Sequence, residues 1–121
     1  MTTVLVVDDD PALRMLCRVN LELDGYEVVE AATLAEARQA LADKGPALVL
    51  LDMHIGNERG NTLLEELGGH DPPIPVAVVT GSTELDESER TAASAVLAKP
   101  FTIEALLATV RSLAAGDAAR R

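Results

Sequence analysis

Residues Leu48-Val49-Leu50-Leu51 form an unbroken apolar run that stops on a single carboxylate, Asp52. A short run rich in Val and Leu marks a strand covered on both faces, as in the interior of a parallel sheet. Asp52 stands where that strand emerges, and in open α/β sheets ligands bind beyond the carboxyl ends of the strands. A strand-ending Asp can equally cap a turn, so its meaning depends on what the other strand ends carry.

The rest of the chain repeats the alternation. Thr3 to Val7 is a β-rich run ending at Asp8-Asp9-Asp10, and Pro11 suits the first position of a helix capped by Asp10. That helix is expected to direct Leu13, Leu16, Cys17, Asn20 and Leu23 inward and to show Arg14, Met15 and Arg18 outward, stopping near Asp24-Gly25. Tyr26 to Glu30 reads as the second strand, and Thr33-Leu34-Ala35-Glu36 as a capping box opening a second helix that Lys44-Gly45-Pro46 ends. Leu34, Ala37 and Leu41 share one side of it.

After the third strand, Ala47 to Leu51, comes a glycine-bounded loop, Gly56-Asn57-Glu58-Arg59-Gly60. Leu63, Leu64 and Leu67 mark a third helix stopped by Gly68-Gly69. The connector His70-Asp71-Pro72-Pro73 leads to a strand from Val76 to Val79 that ends at Thr80. Ser82 or Thr83 is expected to cap a short polar helix over Glu84 to Ala93. Val96 to Ala98, the fifth strand, runs into Lys99-Pro100-Phe101. Thr102 then caps a last helix whose Ile103, Leu106, Leu107, Val110, Leu113 and Ala114 form one apolar stripe. Five strands alternating with five helices predict an α/β fold, a single five-stranded parallel sheet with helices on both faces and right-handed crossovers.

A chain of 121 residues is one domain, able to bury about two-thirds of the surface its unfolded form exposes. The domain is expected to span residues 1–115, with 116–121 a frayed tail or the start of a linker. Twenty acidic against ten basic residues, with no basic stripe, argue against direct binding of nucleic acid. Tyr26 and Phe101 are the only aromatic residues, which removes base stacking as a binding mode. The lone cysteine, Cys17, excludes an internal disulfide and reads as a small core hydrophobe. No signal-peptide pattern or membrane-length apolar stretch is present, so the expectation is a cytoplasmic protein with no membrane contact.

With strands one, three, four and five parallel, their ends bring Asp8 and Asp9, Asp52, Thr80 and Lys99 to one edge. Clustered carboxylates repel by about 1 kcal/mol per pair at 4 Å in water and about 4 at an effective dielectric of 20. Carboxylates without nitrogen or sulfur ligands suit a hard divalent cation, and Mg²⁺ prefers one or two of them plus water and phosphate oxygens. Lys99, one of only two lysines, can pair with a carboxylate at rest and with a phosphoryl oxygen when one arrives. The Thr80 hydroxyl can donate to the same group. Together these describe phosphoryl transfer to an aspartate.

The set Val4-Leu5-Val6-Val7-Asp8-Asp9-Asp10, Leu50-Leu51-Asp52, the strand ending in Thr80, and Lys99-Pro100-Phe101 resembles the signature of bacterial response-regulator receiver domains from Val4 to about Leu113. The resemblance implies a flavodoxin-like (βα)5 fold with strand order 2-1-3-4-5. It implies Asp52 as the acceptor of a phosphoryl group from the phosphohistidine of a histidine kinase or phosphotransfer protein. Asp9 and Asp52 would bind Mg²⁺ directly, Asp8 largely through water, and the His54 carbonyl would complete the seat. Thr80 and Lys99 would hold phosphoryl oxygens, with Lys99-Pro100 a cis peptide, and a downstream protein would read the result. By the same analogy Met15, between Arg14 and Arg18, is a candidate docking patch for the kinase.

Three positions depart from the family pattern. Val96 stands where an aromatic residue often swings inward, three positions before the lysine. The Thr80 to Lys99 segment is short by nearly one helical turn and lacks the usual glycine before strand five. Gly56 replaces a common proline, which loosens the loop after the acceptor. Competing readings are a small Mg²⁺-dependent aspartate-nucleophile phosphohydrolase, which would need an acid where His54 stands, and a nucleotide-binding flavodoxin-like domain, whose phosphate cradle three aspartates would repel. A receiver-like scaffold that is never phosphorylated is the fourth.

Overall fold

Alternating apolar side chains on five short strands build the centre of the molecule. The computed structural model describes residues 2–81 and 85–119, with side chains to residue 115. The strands are β1 (Thr3–Val7), β2 (Glu27–Ala31), β3 (Leu48–Asp52), β4 (Val76–Thr80) and β5 (Ala95–Ala98). All pair in parallel in the order β2-β1-β3-β4-β5, the flavodoxin-like arrangement. Between them run helices α1 (Pro11–Leu23), α2 (Leu34–Lys44), α3 (Asn61–Gly68), α4 (Glu87–Ala92) and α5 (Ile103–Ala119).

The period of two along each strand divides the core between the two faces. Val4, Val6, Leu48, Leu50, Ala77, Val79 and Leu97 pack with Cys17 and Leu21 of α1 and Leu106 and Val110 of α5. Leu5, Val7, Val49, Leu51, Val76 and Val78 pack with Leu34 and Ala37 of α2 and Leu63, Leu64 and Leu67 of α3. β1 and β3 are therefore the two-sided strands their apolar runs predict. Among the described residues no helix is long and apolar enough to cross a membrane.

Several local expectations need correction. In α1 only Cys17 and Leu21 are buried, while Leu16 is 43% and Leu23 82% exposed. α1 lies along the sheet with a narrow stripe, and the apolar residues beside that stripe face solvent. Arg14 is turned inward instead, bonded to the Asp8 carbonyl at 2.7 Å and to Glu30 of β2 at 3.2 Å. At α2, Thr33 caps the Glu36 N–H, but the Glu36 carboxylate reaches the N–H of Ala32, one residue earlier than a capping box requires. β2 is Glu27–Ala31, one residue later than expected.

The polar helix before β5 begins later than Glu84. Asp86 is its cap, in a reciprocal box with Glu89, and the proposed caps Ser82 and Thr83 lie outside the described residues. The loop from Gly56 to Gly60 contains order of its own: His54–Ile55 and Glu58–Arg59 form a two-stranded antiparallel ribbon. α5 continues through Gly116 to Ala119. Ala114 and Ala115 before that glycine and Ala118 and Ala119 after Asp117 are strong helix formers, which offsets the roughly 1 kcal/mol that one glycine costs a helix.

Candidate functional site

Register decides which side chains meet. Val7 of β1 pairs with Leu51 of β3, so Asp8 and Asp52 leave the sheet at the same level. Asp52 pairs with Val79, and Thr80 pairs with Ala98, so Thr80 stands one step further out and Lys99 two. Asp8, Asp52 and Lys99 also continue the parity of Val6, Leu50 and Leu97, which belong to the α1/α5 face. They therefore converge on one side of the sheet edge.

The convergence is close. Lys99 Nζ lies 3.1 Å from Asp52 Oδ2 and 3.4 Å from Asp8 Oδ2. Asp8, Asp9 and Asp52 each offer a carboxylate oxygen, all within 4.8 Å of one another. Asp8 and Asp52 are buried, at 3% and 6% exposure, whereas Asp9 is open to solvent. Thr80 is buried beside them, and its carbonyl accepts the Lys99 N–H at 2.8 Å. The Lys99-Pro100 bond is cis.

Each carboxylate is also held by one backbone donor. The Asp10 N–H donates to Asp8 Oδ1 at 2.9 Å, the His54 N–H to Asp52 Oδ1 at 3.0 Å, and the Gly56 N–H to Asp9 Oδ2 at 2.9 Å. These bonds orient the acids while leaving Oδ2 of Asp8 and Asp52 to Lys99. The turn closes at Gly60, whose N–H donates to the Met53 carbonyl. A Cβ at Gly60 would sit 2.9 Å from the Asp52 carbonyl oxygen, so this position has room only for glycine.

Electrostatics follow from burial and crowding. Burial lifts the Asp8 pKa, the Asp52 charge adds to the rise, and the Asp10 N–H and Lys99 offset only part of it. For Lys99 burial acts downward, but the bonds and charges of Asp52 and Asp8 outweigh it and raise the ammonium above its ordinary value. Cys17, deeper under the same face, has its thiol pushed up to about 11 by burial and by the charge of Asp8. It is a core residue, with almost no thiolate at neutral pH.

An all-oxygen donor set with two buried acids and one exposed acid fits a hard divalent cation, and the single ammonium bridging two of them only partly cancels their charge. Asp8, Asp9, Asp52 and Lys99 thus meet in one pocket, with Thr80 at the adjoining strand end. His54 borders the pocket through its backbone, and its side chain is exposed.

Two contributions escaped the sequence. Arg14 braces the Asp8 carbonyl, and its only trace was a glutamate inside the apolar run Val28-Val29-Glu30-Ala31. Arg59 forms a forked pair with the buried Glu89, thirty residues away in sequence, which no local pattern signals.

A doubly wound parallel sheet that presents three acids, a threonine and a lysine at its carboxyl edge defines a flavodoxin-like α/β class with an acidic site suited to a hard cation. Residues 4–111 match the family described as response regulator receiver domain. The chain is 34% identical over 114 residues to the transcriptional regulatory protein KdpE of Mycobacterium tuberculosis, covering 93% of this chain and 50% of KdpE. It spans about half the length of the first curated relatives it matches.

Among solved structures, a CheY-like receiver domain protein from Methanospirillum hungatei superposes with a TM-score of 0.92 at 29% identity, covering 100% of this chain and 99% of that one. The response regulator TrrA from Thermotoga maritima, solved in complex with Mg²⁺-BeF, superposes with a TM-score of 0.85 at 26% identity, covering 93% and 99%. The chain belongs to the receiver domains of response regulators, the signalling modules of two-component systems.

Proposed function

We propose that Asp52 accepts a phosphoryl group from the phosphohistidine of a histidine kinase or phosphotransfer protein, and that the acylphosphate changes the affinity of this domain for a downstream protein. The observation that carries the reading is Lys99 bridging Asp52 and Asp8 within a triad of carboxylates. Asp52 Oδ1 is committed to the His54 N–H, which leaves Oδ2 as the attacking oxygen. As the bond from Oδ2 to phosphorus forms, the bond from phosphorus to the donor imidazole breaks and the imidazole keeps the electron pair. Lys99 then transfers its ammonium contact from the carboxylate to a phosphoryl oxygen, and the Thr80 hydroxyl donates to another. Such positioning and charge neutralisation supply most of the rate in phosphoryl transfer.

Mg²⁺, when bound, supplies the positive charge shared between the carboxylates and the incoming phosphoryl oxygens. Asp9 and Asp52 would hold it directly, Asp8 through water, and the His54 carbonyl would complete the set. Residues 1–115 make up the phospho-acceptor domain on this reading, and 116–121 are a tail or the start of a linker. The setting is cytoplasmic. The same site would also release its own phosphoryl group to water, which is assistance to its own chemistry and not turnover of an external substrate.

A shallow groove of about 420 Å³, lined by Leu13, Leu16, Phe101 and Pro100, leads from the surface of α1 to Lys99. Met15 at 64% and Val19 at 44% exposure add apolar surface to the same helix. That surface suits a partner that must bring a histidine up to Asp52. Output proceeds without an aromatic switch, because Val96 has no ring to move.

The test is incubation with Mg²⁺ and a small acyl phosphate, followed by intact mass of wild type and Asp52→Asn. A base-labile phosphoryl adduct on the wild type alone is the expected result. Steady hydrolysis of assorted phosphate esters with no lasting adduct would overturn the reading in favour of a phosphohydrolase, and complete inertness in favour of a scaffold.

A further inference from the structure

Two of the three acids are held by one small piece of backbone. The ribbon that follows Asp52 places His54 opposite Arg59 and Ile55 opposite Glu58, with Gly56 at the turn in the left-handed region, φ +60°. Its N–H groups at His54 and Gly56 grip Asp52 and Asp9. Two side chains fix the ribbon in turn. Ile55 is 3% exposed in the core on the α2/α3 side. Arg59 reaches across to α4, where its Nη2 lies 2.7 Å from Glu89 Oε1 and its Nε 3.1 Å from Glu89 Oε2.

Glu89 has a second duty. Its Oε1 accepts the Asp86 N–H at 3.0 Å while its own N–H donates to Asp86 Oδ1 at 2.7 Å, so the same carboxylate caps α4. The bonds from Arg59 hold the Glu89 carboxylate below its ordinary pKa, although burial acts the other way. α4 has six residues, far fewer than a helix needs to persist unaided, so its order depends on this cap and on packing. One ion pair therefore joins the backbone that orients the acids to the element least able to stand alone.

We propose that Arg59 and Glu89 are positioning residues for the acceptor site, and that their pair is the link through which occupancy of Asp52 reaches α4. The proposal rests on the phosphorylation reading above. Filling the site moves or tightens the acids, the His54 and Gly56 N–H groups follow their oxygens, and the displaced ribbon pulls on Arg59. Coupling of this kind is reciprocal, so weakening the α4 end must also weaken the metal seat. The pair supplies a route to α4 in a chain whose β5 carries Val96 in place of a ring.

The experiment uses the wild-type chain, Arg59→Ala and Glu89→Gln. Glutamine keeps an acceptor for the Asp86 N–H, so the cap survives in the second variant. Mg²⁺ affinity is measured by titration calorimetry, and amide exchange over residues 87–93 is followed with and without Mg²⁺ and beryllofluoride. Both variants are expected to bind Mg²⁺ about tenfold more weakly, the low end for partners that orient metal ligands. They are also expected to lose the change in α4 exchange that the wild type shows on filling. Unchanged Mg²⁺ affinity in both variants would mean a purely structural role in α4 and would overturn the proposal, as would an undiminished α4 response. If the wild type neither binds beryllofluoride nor forms the Asp52 adduct, the functional reading falls and the proposal with it. If the wild type does both and the variants match it, only the proposal falls.

Discussion

Asp8 is where stability and chemistry oppose each other most directly. Its folded pKa is raised by burial and by Asp52, so the folded state favours the protonated carboxyl. The stability this lends is fully present below the ordinary value of 3.8 and is lost as pH rises through the folded value. Asp8→Asn holds the uncharged form permanently. Without divalent ions it is expected to gain about 1 kcal/mol at pH 7, in the usual range for relieving strain at a functional site. Below pH 3.8 the gain should vanish, and urea unfolding at the two pH values checks both. Lys99 has the same sign in a higher window, because pairing raises its pKa too: its stabilisation is intact at neutral pH and is lost only as pH climbs past 10.5 and through the folded value. Both residues were legible in the sequence because parity along a strand is a local property. Asp8, Asp52 and Lys99 sit an even number of residues beyond Val6, Leu50 and Leu97, and that places them on one face.

Among the elements, the ribbon after β3 is the one whose order the sequence hid. Gly56-Asn57-Glu58-Arg59-Gly60 has the composition of a loop, and its two-residue strands are too short to show a period. Its close fit to β3 gives a sharp expectation. Gly60→Ala forces a methyl to 2.9 Å from the Asp52 carbonyl and 3.3 Å from Leu51, with backbone on one side that cannot rotate away. The substitution should cost about 2 kcal/mol, as overpacking does, and should weaken Mg²⁺ binding because the ribbon carries the His54 and Gly56 donors. Chemical unfolding and Mg²⁺ titration read the two effects; a fully stable Gly60→Ala protein with normal Mg²⁺ affinity would refute the account. α1 teaches a different lesson. Leu16 and Leu23 look like core on a helical wheel yet face solvent, because spacing alone does not tell the narrow stripe that packs on the sheet from the apolar residues beside it.

At the scale of the whole molecule, the acids at the carboxyl edge make the empty fold less stable than its core would allow, and a cation that binds only the folded state should recover that loss. At ten times its dissociation constant, Mg²⁺ is expected to add about 1.4 kcal/mol by mass action. For a domain of this size that is a rise in Tm of about 5 °C, absent in Asp9→Asn and visible by calorimetry. The five-strand alternation, the two-sided character of β1 and β3, and the strand ends that carry Asp8, Asp9, Asp52, Thr80 and Lys99 could all be read from the residues alone, because each is written in neighbouring positions. That Arg14 braces Asp8, that α4 starts from Asp86, and that Arg59 clamps Glu89 came from the folded chain. Those contacts join segments far apart in the chain, and burial of a charge is favourable only once its partner has been brought to it.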